Sequence, residues 1–454
     1  MYKCDLCHDR VKKGQIPACV EACEKRLGTK KPLFFARREE ILRMAHERAK
    51  EINGFIYGEK ENGGAATLYV SKIPFERIDS KLKEAKSSLL MGKVLNPLRE
   101  VNGWAKAFMI GPLISAVQKN CDISDAQHAG DLTLCTFLLK MRELYRWEHD
   151  IPLSQDMPKA EVGNWMNTRE HLWEEIETAP FEPLPLAEGT ADPFAVAVVN
   201  RQLAPRGLVY SGGYGRFCKP HFFLGSLLRE EERHGHRIFV SACEYARDLD
   251  APPGMMLDGT IFVRTEALRR WLWERYEEWR WSRRNEAMGR AVASYDFEQD
   301  SEAALQAMTE SETESVILHE LGEAKVGEEL GSAWESLLAD LMRSRGEIMA
   351  RAVRDLYADC ATTLPGLLQR RNPAAIHFYF ANLVGMRRKL FPALAAGYRD
   401  WLDSGSLAEL ERAAGNGREH WRNLACDMLE LHARLGEKAG EKIERLIESD
   451  AELM

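Results

Sequence analysis

The sequence predicts an α+β protein in which helices predominate, with a mixed α/β middle domain and a helical C-terminal domain. Apolar residues recur at helical spacing in several long segments, whereas short runs of β-forming residues lie in the middle of the chain. With 454 residues, 45% apolar and 29% charged, the chain is globular and long enough for about two to four domains. The net charge of −8, without a Lys/Arg-rich tract interleaved with aromatic residues, argues against a general nucleic-acid binder.

Four cysteines lie close together at the start of the chain: Cys4, Cys7, Cys19 and Cys23. The first two form a C-x2-C pair, from which two thiolates can leave a tight turn toward one ion or cluster. This spacing indicates an iron–sulfur cluster. Zinc is the alternative, because four-cysteine zinc sites also use C-x2-C pairs, although C-x3-C fits a zinc ribbon less well. Cysteines without any bound metal are the third interpretation.

The run CDLCHDRVKKGQIPACVEAC, followed by TKKPLFFARREEILRMAHERAKEINGFIYG and TLYVSKIPF, resembles a known family. Over about residues 2–117 the chain is similar to the C-terminal half of ferredoxin-type electron-transfer subunits of formate dehydrogenases, hydrogenases and molybdopterin oxidoreductases. The resemblance implies a [4Fe–4S] cluster on Cys4, Cys7, Cys19 and Cys23, and a role in electron transfer rather than catalysis. It also implies two partners, a larger redox enzyme subunit and a membrane-anchor subunit.

Two departures from the family limit this resemblance. Glu24 stands where the family usually has proline after the last cysteine, and the earlier cysteine groups of the family are missing. In ferredoxins the fourth cysteine of a run often binds the other cluster of the pair. An incomplete or lost cluster therefore remains an open alternative.

Changes in composition divide the chain into four expected parts. These are a ferredoxin-like, cysteine-rich part at 1–79, a docking arm at 80–119, a mixed α/β domain at 120–295 and a helical domain at 296–454. The arm has six Lys or Arg against two Glu and then an apolar stretch, Ala107 to Val117. That stretch is shorter than the about twenty apolar residues that a membrane span needs. It suits docking onto a membrane partner or neighbouring subunit, or packing within its own domain.

The middle domain is expected to begin with a polar stretch, 120–127, followed by an amphipathic helix in which Leu134, Leu138, Met141 and Tyr145 share a face. Four prolines in 178–193 predict a surface loop. The β-like runs that follow, and the long amphipathic helix after them, are 207–211, 237–243, 260–264 and 264–290.

The last part begins with seven acidic residues and no Lys or Arg between Asp296 and Glu314, which indicates a linker or the acidic first turn of a helix. Apolar residues then keep the helical period from Trp334 to Cys360. Asn372 and Pro373 supply an N-cap and a first-turn proline for the next helix.

A second metal site is one hypothesis for these helices. His319 and Glu323 lie four residues apart on one helical face, and Asp355 and Asp359 repeat that spacing on the next helix. With His377, the set His319, Glu323 and Asp359 would offer two imidazoles and two carboxylates, a mixture that suits iron, manganese or zinc.

The sequence lacks the E-x-x-H pairs that such helical metal centres use. The alternatives are a solvated polar face, or buried carboxylates compensated by arginine, for which Arg351 and Arg354 are the candidates.

A third metal site is the hypothesis for Cys218 and His221, a C-x2-H group with His234, His236 and Cys243 nearby. Cysteine and histidine at this spacing can bind zinc or iron. The alternative is a buried cysteine beside a polar turn, because cysteine is among the most frequently buried residue types.

The sequence does not show the pattern of a signal peptide, which is a charged segment followed by an apolar stretch. The other cysteines do not suggest a disulfide framework. A cytoplasmic protein, peripheral to a membrane through its partners, is therefore expected. The function expected is an iron–sulfur electron-transfer or docking subunit with a large accessory domain. The alternative is an accessory or maturation protein that carries a degenerate ferredoxin remnant.

Overall fold

The computed structural model describes residues 16–17, 20–21, 25, 34–36, 38–57, 68–73, 104–215, 218–342 and 344–451. The chain forms two compact units. The first runs to Glu182 and includes Asp248–Asp250, and the second comprises Pro183–Arg247 and Ala251–Met454. Cys4, Cys7, Cys19 and Cys23 lie outside the described residues, so the ferredoxin-like fold and its cluster site stay predictions.

The described part of the first unit consists of helices and one short antiparallel strand pair. The elements are α1 (Arg38–Ile52), β1 (Phe55–Tyr57), β2 (Tyr69–Ser71), α2 (Trp104–His128), α3 (Leu134–Glu148) and α4 (Lys159–Ile176). Thr133 caps α3, because its hydroxyl accepts a hydrogen bond from the backbone N–H of Thr136. Met141 and Tyr145 of α3 are buried, whereas Leu134 is exposed.

The polar stretch at 120–127 forms the C-terminal turns of helix α2. Asn120 is fully buried and its amide binds both backbone groups of Glu182, at 2.9 and 2.7 Å. Asp125 is also buried and accepts from the backbone N–H of Leu249 at 2.7 Å. Polar residues can be buried here because backbone partners satisfy them. A domain boundary between 119 and 120 would cut this helix.

The apolar stretch expected in the docking arm lies in the same helix. Leu113 and Val117 are buried in the unit, which agrees with the packing alternative for this stretch. Residues 80–103 lie outside the described part, so the docking role of 80–119 remains a prediction. No helix within the described ranges is long and apolar enough to cross a membrane.

The second unit begins with a small hairpin and a five-stranded sheet. Its first elements are β3 (Leu184–Leu186), β4 (Gly189–Ala191), α5 (Val196–Leu203), β5 (Leu208–Tyr214), β6 (Pro220–Arg233), β7 (His236–Arg247), β8 (Gly254–Leu257) and β9 (Thr260–Arg264). The hairpin β3–β4 lies within the proline-rich stretch that was expected to be a loop. In the sheet the order is β5-β6-β7-β9-β8, and β7 and β9 form the parallel pair.

The sheet is mixed, because β7 and β9 are parallel whereas the other neighbouring strands are antiparallel. His234 and Gly235 both have positive φ, 52° and 81°, and make the two-residue turn of the β6–β7 hairpin. Such turns match the twist of antiparallel strands. Three of the strands, β5, β7 and β9, coincide with the three β-like runs of the sequence, whereas the long strand β6 had no such signal.

Helices complete the second unit. They are α6 (Thr265–Ser282), α7 (Glu286–Ala293), α8 (Ser301–Asp340), α9 (Arg345–Ala358), α10 (Leu364–Arg370), α11 (Pro373–Asn382), α12 (Gly385–Leu390), α13 (Pro392–Ser404), α14 (Ala408–Leu435) and α15 (Gly440–Ala451). A π-helical turn, Asp359–Thr363, joins α9 to α10. The acidic stretch becomes the start of α8, which Asp300 caps through hydrogen bonds from Glu302 and Ala303.

Two expected long helices are each divided in the structure. The amphipathic helix expected at 264–290 breaks at Arg283, which has a φ of 51°. The helical period from Trp334 to Cys360 spans α8 and α9, with Ser344 capping the second through Glu347 N–H at 3.1 Å. Apolar periodicity continues across these breaks because both helices of each pair turn the same face to the core.

Candidate functional site

A cavity of about 460 Å³ in the second unit is surrounded by helices and the start of strand β8. Its apolar wall includes Leu268 and Trp271 of α6, Val316 of α8, Leu367 of α10 and Phe378 of α11. Its polar side chains come mostly from α8 and the π-helical turn. Concave, largely apolar pockets with a few polar groups are the usual form of small-molecule sites, so this cavity is the candidate site.

One face of α8 presents most of the polar groups. Glu312, Val316, His319 and Glu323 are spaced by four, three and four residues, which places them on one stripe of a helix. Glu320 lies beside His319 and also lines the cavity. The helical period of this sequence therefore determines that these side chains point the same way.

The π-helical turn brings Asp359 against that face. A close approach at Gly322 makes this possible, since a Cβ there would lie 2.7 Å from the carbonyl oxygen of Ala358 and closer still to the Thr362 hydroxyl. That hydroxyl donates to the carbonyl of Leu318 at 2.9 Å. Glycine lets the two backbones approach to a distance that no other residue would permit.

His319 lies between two carboxylates. Its Nε2 is 3.3 Å from Glu323 Oε1, and its Nδ1 is 3.6 Å from Asp359 Oδ1. Burial works to lower the pKa of His319, but the hydrogen bonds and charges of Asp359 and Glu323 raise it well above its ordinary value. The two carboxylates therefore stabilise the protonated imidazole.

Two arginines pair with these carboxylates, and a tyrosine hydroxyl donates a hydrogen bond to one of them. Arg354 donates to Glu323 at 2.5 Å, Arg387 donates to Asp359 at 3.1 Å, and Tyr379 donates to the same Asp359 oxygen at 2.9 Å. Burial acts to raise the pKa of Asp359, yet His319, Arg387 and Tyr379 hold it below its ordinary value. The same balance, with His319 and Arg354, lowers the pKa of Glu323 to about 2.

Two further carboxyls of α8 have the opposite behaviour. Burial raises the pKa of Glu312 to about 8, against which the Ser315 hydroxyl and the Arg370 charge are insufficient. Burial also raises the pKa of Glu320 to about 7, despite the nearby charges of His319 and Arg354. The cavity thus contains ionised carboxylates held in ion pairs and carboxyls that exchange protons near neutral pH. Such a combination can bind a charged group or transfer a proton.

The structure brings together three of the four residues proposed for a second metal site, His319, Glu323 and Asp359. His377 lies elsewhere, with Nδ1 2.9 Å from the Tyr398 hydroxyl and its ring 4.8 Å from that of Trp401. Across the described ranges no group of three or more His, Cys, Asp or Glu side chains could hold a metal ion. Cationic side chains already compensate these carboxylates, as in the arginine alternative.

Of the two arginines considered for that role, Arg354 has it and Arg351 does not, because Arg351 pairs with Glu347. Tyr379 of α11 and Arg387 of α12 were not identified from the sequence, because no local pattern distinguishes them. Glu312 could have been found from its spacing of seven residues before His319.

The residues of the proposed third site do not assemble as a ligand set in the described part of the chain. Cys218 is exposed, with a φ of 58°, just before strand β6. His221 is buried on β6, His236 lies 3.2 Å from the Gly259 carbonyl, and His234 occupies the hairpin turn. His221 and His236 belong to strands β6 and β7, and His234 belongs to the turn that joins them.

Two family models match most of the chain. The N-terminal domain of a family of unknown function, DUF6866, matches residues 112–264, and the C-terminal domain of the same family matches residues 269–450. The residues that line the cavity lie within these two ranges, except for Leu268. No solved structure is significantly similar to the chain.

Three curated relatives match shorter stretches. One described only as "Protein", from Nitratidesulfovibrio vulgaris, is 42% identical over 79 residues, 16% of this chain and 20% of its own length. The hydrogenase-2 operon protein HybA of Escherichia coli O157:H7 is 28% identical over 108 residues, 17% of this chain and 31% of its own. The iron–sulfur subunit of the nitrate-inducible formate dehydrogenase of Escherichia coli K12 is 34% identical over 76 residues, 15% and 24% respectively.

The chain therefore spans a fifth to a third of the length of these relatives. The similarity indicates a ferredoxin-like segment in this chain and is compatible with a role associated with oxidoreductases.

Proposed function

The chain belongs to the family of unknown function DUF6866 over residues 112–264 and 269–450, and we propose that it is an iron–sulfur component of a multi-subunit oxidoreductase. The observation that carries the proposal is the spacing of Cys4, Cys7, Cys19 and Cys23. The partial similarity to a formate dehydrogenase iron–sulfur subunit supports it. In this proposal the DUF6866 domains are a large accessory part that follows the cluster-binding segment.

Four thiolates are a donor set that fits a [4Fe–4S] cluster. Cys4, Cys7 and Cys19 would bind three of its irons and Cys23 the fourth. When bound, the cluster supplies one-electron transfer. The chain's own residues determine its affinity and solvent exposure. Zinc is the competing metal for the same four thiolates.

The proposed partners are a larger redox enzyme subunit and a membrane-anchor subunit. The chain's similarity to a subunit of formate dehydrogenase supports the first. The proposed location is the cytoplasm, at the membrane periphery. Residues 80–119 would form the docking arm, because basic residues precede an apolar stretch in that part of the sequence.

The test is metal analysis of full-length protein purified without oxygen. About four irons per chain and brown absorbance are expected. Cys7→Ser should remove the absorbance and most of the iron. Cys426→Ser is the matched control, because Cys426 is an exposed cysteine on α14 and its replacement should leave the iron content unchanged. Stoichiometric zinc without iron would replace the cluster proposal with a zinc site.

The second candidate is an accessory or maturation protein whose ferredoxin segment has lost its cluster. It is favoured by Glu24 at the position of the usual proline and by the large share of the chain that belongs to DUF6866. A stable, monodisperse protein that contains neither iron nor zinc, even after anaerobic reconstitution, would decide for this candidate.

A further inference from the structure

We infer that the cavity of the second unit binds a small organic cation, a primary ammonium or guanidinium group attached to an apolar moiety. This inference goes beyond the proposed electron transfer, which concerns the N-terminal cysteines, and it does not depend on a bound cluster. It rests on which cavity groups are already paired and which are not.

The unpaired groups in the cavity wall are oxygens. Glu312 is 2% exposed, and its Oε1 has no hydrogen-bond partner among the described residues. Thr363, from the π-helical turn, is 4% exposed, and its hydroxyl also lacks one within the described part. The carboxyl of Glu320 lies on the same wall. Buried polar atoms without partners are unfavourable, so a ligand that donates hydrogen bonds would be stabilised here.

The cationic groups of the cavity are, in contrast, already paired. His319 lies between Glu323 and Asp359. Arg387 donates to Asp359 at 3.1 Å and to the carbonyl of Asn382 at 3.1 Å. An anionic ligand would have to displace these carboxylates, whereas a cation finds carboxyl oxygens available. The pairing pattern therefore selects the sign of the ligand's charge.

The apolar wall determines the rest of the ligand. The rings of Trp271 and Phe378 meet edge to face with centroids 5.6 Å apart, and Leu268 and Leu367 extend the apolar surface. Aromatic rings bury apolar groups and also attract a nearby cation. A volume of about 460 Å³ suits a molecule with one ring and a short amine-bearing chain.

Protonation follows from the same arrangement. Burial raises the pKa of Glu312 to about 8 and that of Glu320 to about 7. The groups that face Glu312 are Ser315, Arg370 and the hydroxyl of Tyr295, and those that face Glu320 are His319, Glu323 and Arg354. A bound cation favours the ionised carboxylates, so binding should release protons and become tighter as the pH rises from 6 to 8.

The experiment is calorimetric titration of the full-length protein with three probes of similar shape: 2-phenylethylammonium, 2-phenylethanol and 3-phenylpropionate. The ammonium should bind at least about tenfold more tightly than the alcohol or the carboxylate, because charge-assisted hydrogen bonds are the stronger ones. Equal affinities, tighter binding of the carboxylate, or no binding of the ammonium at millimolar concentration would overturn the inference.

Two substitutions test whether the ammonium binds in the cavity. Glu312→Gln keeps the shape of the side chain and should weaken ammonium binding about tenfold and reduce proton release. The control is Glu335→Gln, an exposed position in the part of α8 that follows the kink at Gly331, and it should bind as the wild type does. Unchanged affinity in Glu312→Gln, with a native circular dichroism spectrum, would show that the cavity is not the site. A capped lysine tripeptide distinguishes two sources of the ligand's ammonium group. If the tripeptide competes with 2-phenylethylammonium, the ligand is a peptide side chain, and if it does not compete, the ligand is a free amine.

Discussion

Two buried ionic clusters of the second unit differ in whether they adjoin a cavity. One joins Glu244 and Arg247 of β7 to Arg264 of β9, and the other surrounds His319 beside the cavity. In the first, the Glu244 carboxylate lies against both guanidinium groups. In the second, His319, Arg354 and Arg387 pair with Glu323 and Asp359, and two further carboxyls, Glu312 and Glu320, line the cavity.

The sheet cluster is closed to solvent. Glu244, Arg264 and Arg247 have side chains at most 2% exposed. Arg264 donates to Glu244 at 2.5 Å, and its guanidinium lies 4.6 Å from the centre of the Phe223 ring. These residues do not line the cavity. Such a cluster holds neighbouring strands in one arrangement and offers no space to a ligand.

The cavity cluster remains partly open, since the His319 side chain is 36% exposed. Its excess carboxyls, Glu312 and Glu320, are neutral or partly neutral at pH 7 because burial raises their pKa values. Burial of charged groups alone therefore does not indicate a functional site. Buried carboxyls that lack a cationic partner and line a cavity do indicate one.

Removing the carboxylate of the closed cluster should have the largest effect. Glu244→Ala removes the buried carboxylate that pairs with Arg264 and should lower the free energy of unfolding by about 3–5 kcal/mol. Glu230→Ala, which removes an exposed partner of Arg237, is the control and should cost at most about 1 kcal/mol. Urea denaturation measures both. Equal effects of the two substitutions would mean that the closed cluster does not stabilise the sheet.

The close approach that builds the open cluster is tested at Gly322. Gly322→Ala places a methyl group against Ala358 and Thr362 and should cost about 1–3 kcal/mol through overpacking. Gly327→Ala, on the same helix, has no atom within 4 Å of the new Cβ. It should stabilise the protein by up to about 1 kcal/mol through helix propensity. The same sign for both substitutions would contradict the close packing of α8 on the π-helical turn.

The last expected effect is a pH dependence that distinguishes the open cluster. Folded Glu312 keeps its proton up to a pKa of about 8, whereas the unfolded chain releases it near 4.5. Between these values the folded state binds more protons, so stability falls as pH rises, by about 1.4 kcal/mol per pH unit. Glu320 acts in the same direction, with a pKa of about 7.

The measurement is urea unfolding at pH 5.5, 6.5 and 7.5. Glu312→Gln should flatten the decrease in stability, and the control Glu335→Gln should follow the wild type. The lowered pKa values of Glu323 and Asp359 add no slope in this range, because their contribution is lost only at more acidic pH. The raised pKa of His319 adds a decrease above its ordinary value, and the wild type and both variants share it. Parallel curves for wild type and Glu312→Gln would mean that Glu312 is ionised in the folded protein.

Local patterns in the sequence account for part of the site. The spacing of His319 and Glu323 correctly placed both side chains on one helical face, and Asp359 was correctly expected to face them from the next helix. Arg354 was among the expected compensating residues. His377 contacts Tyr398 of α13, a hydrogen-bond partner that the residues of its own helix do not indicate.

By itself, the sequence determined the predominance of helices, three strands of the sheet and the direction in which α8 presents its polar residues, because these depend on periodicity within one segment. The cysteine motif is equally local, and its cluster remains a proposal. The tertiary structure adds the ion pair of Arg387 and the hydrogen bond of Tyr379 with Asp359, and it leaves Glu312 Oε1 and the Thr363 hydroxyl without hydrogen-bond partners among the described residues. The reason is physical: burial and pairing depend on what other segments bring within hydrogen-bond distance, and no single segment encodes those distances.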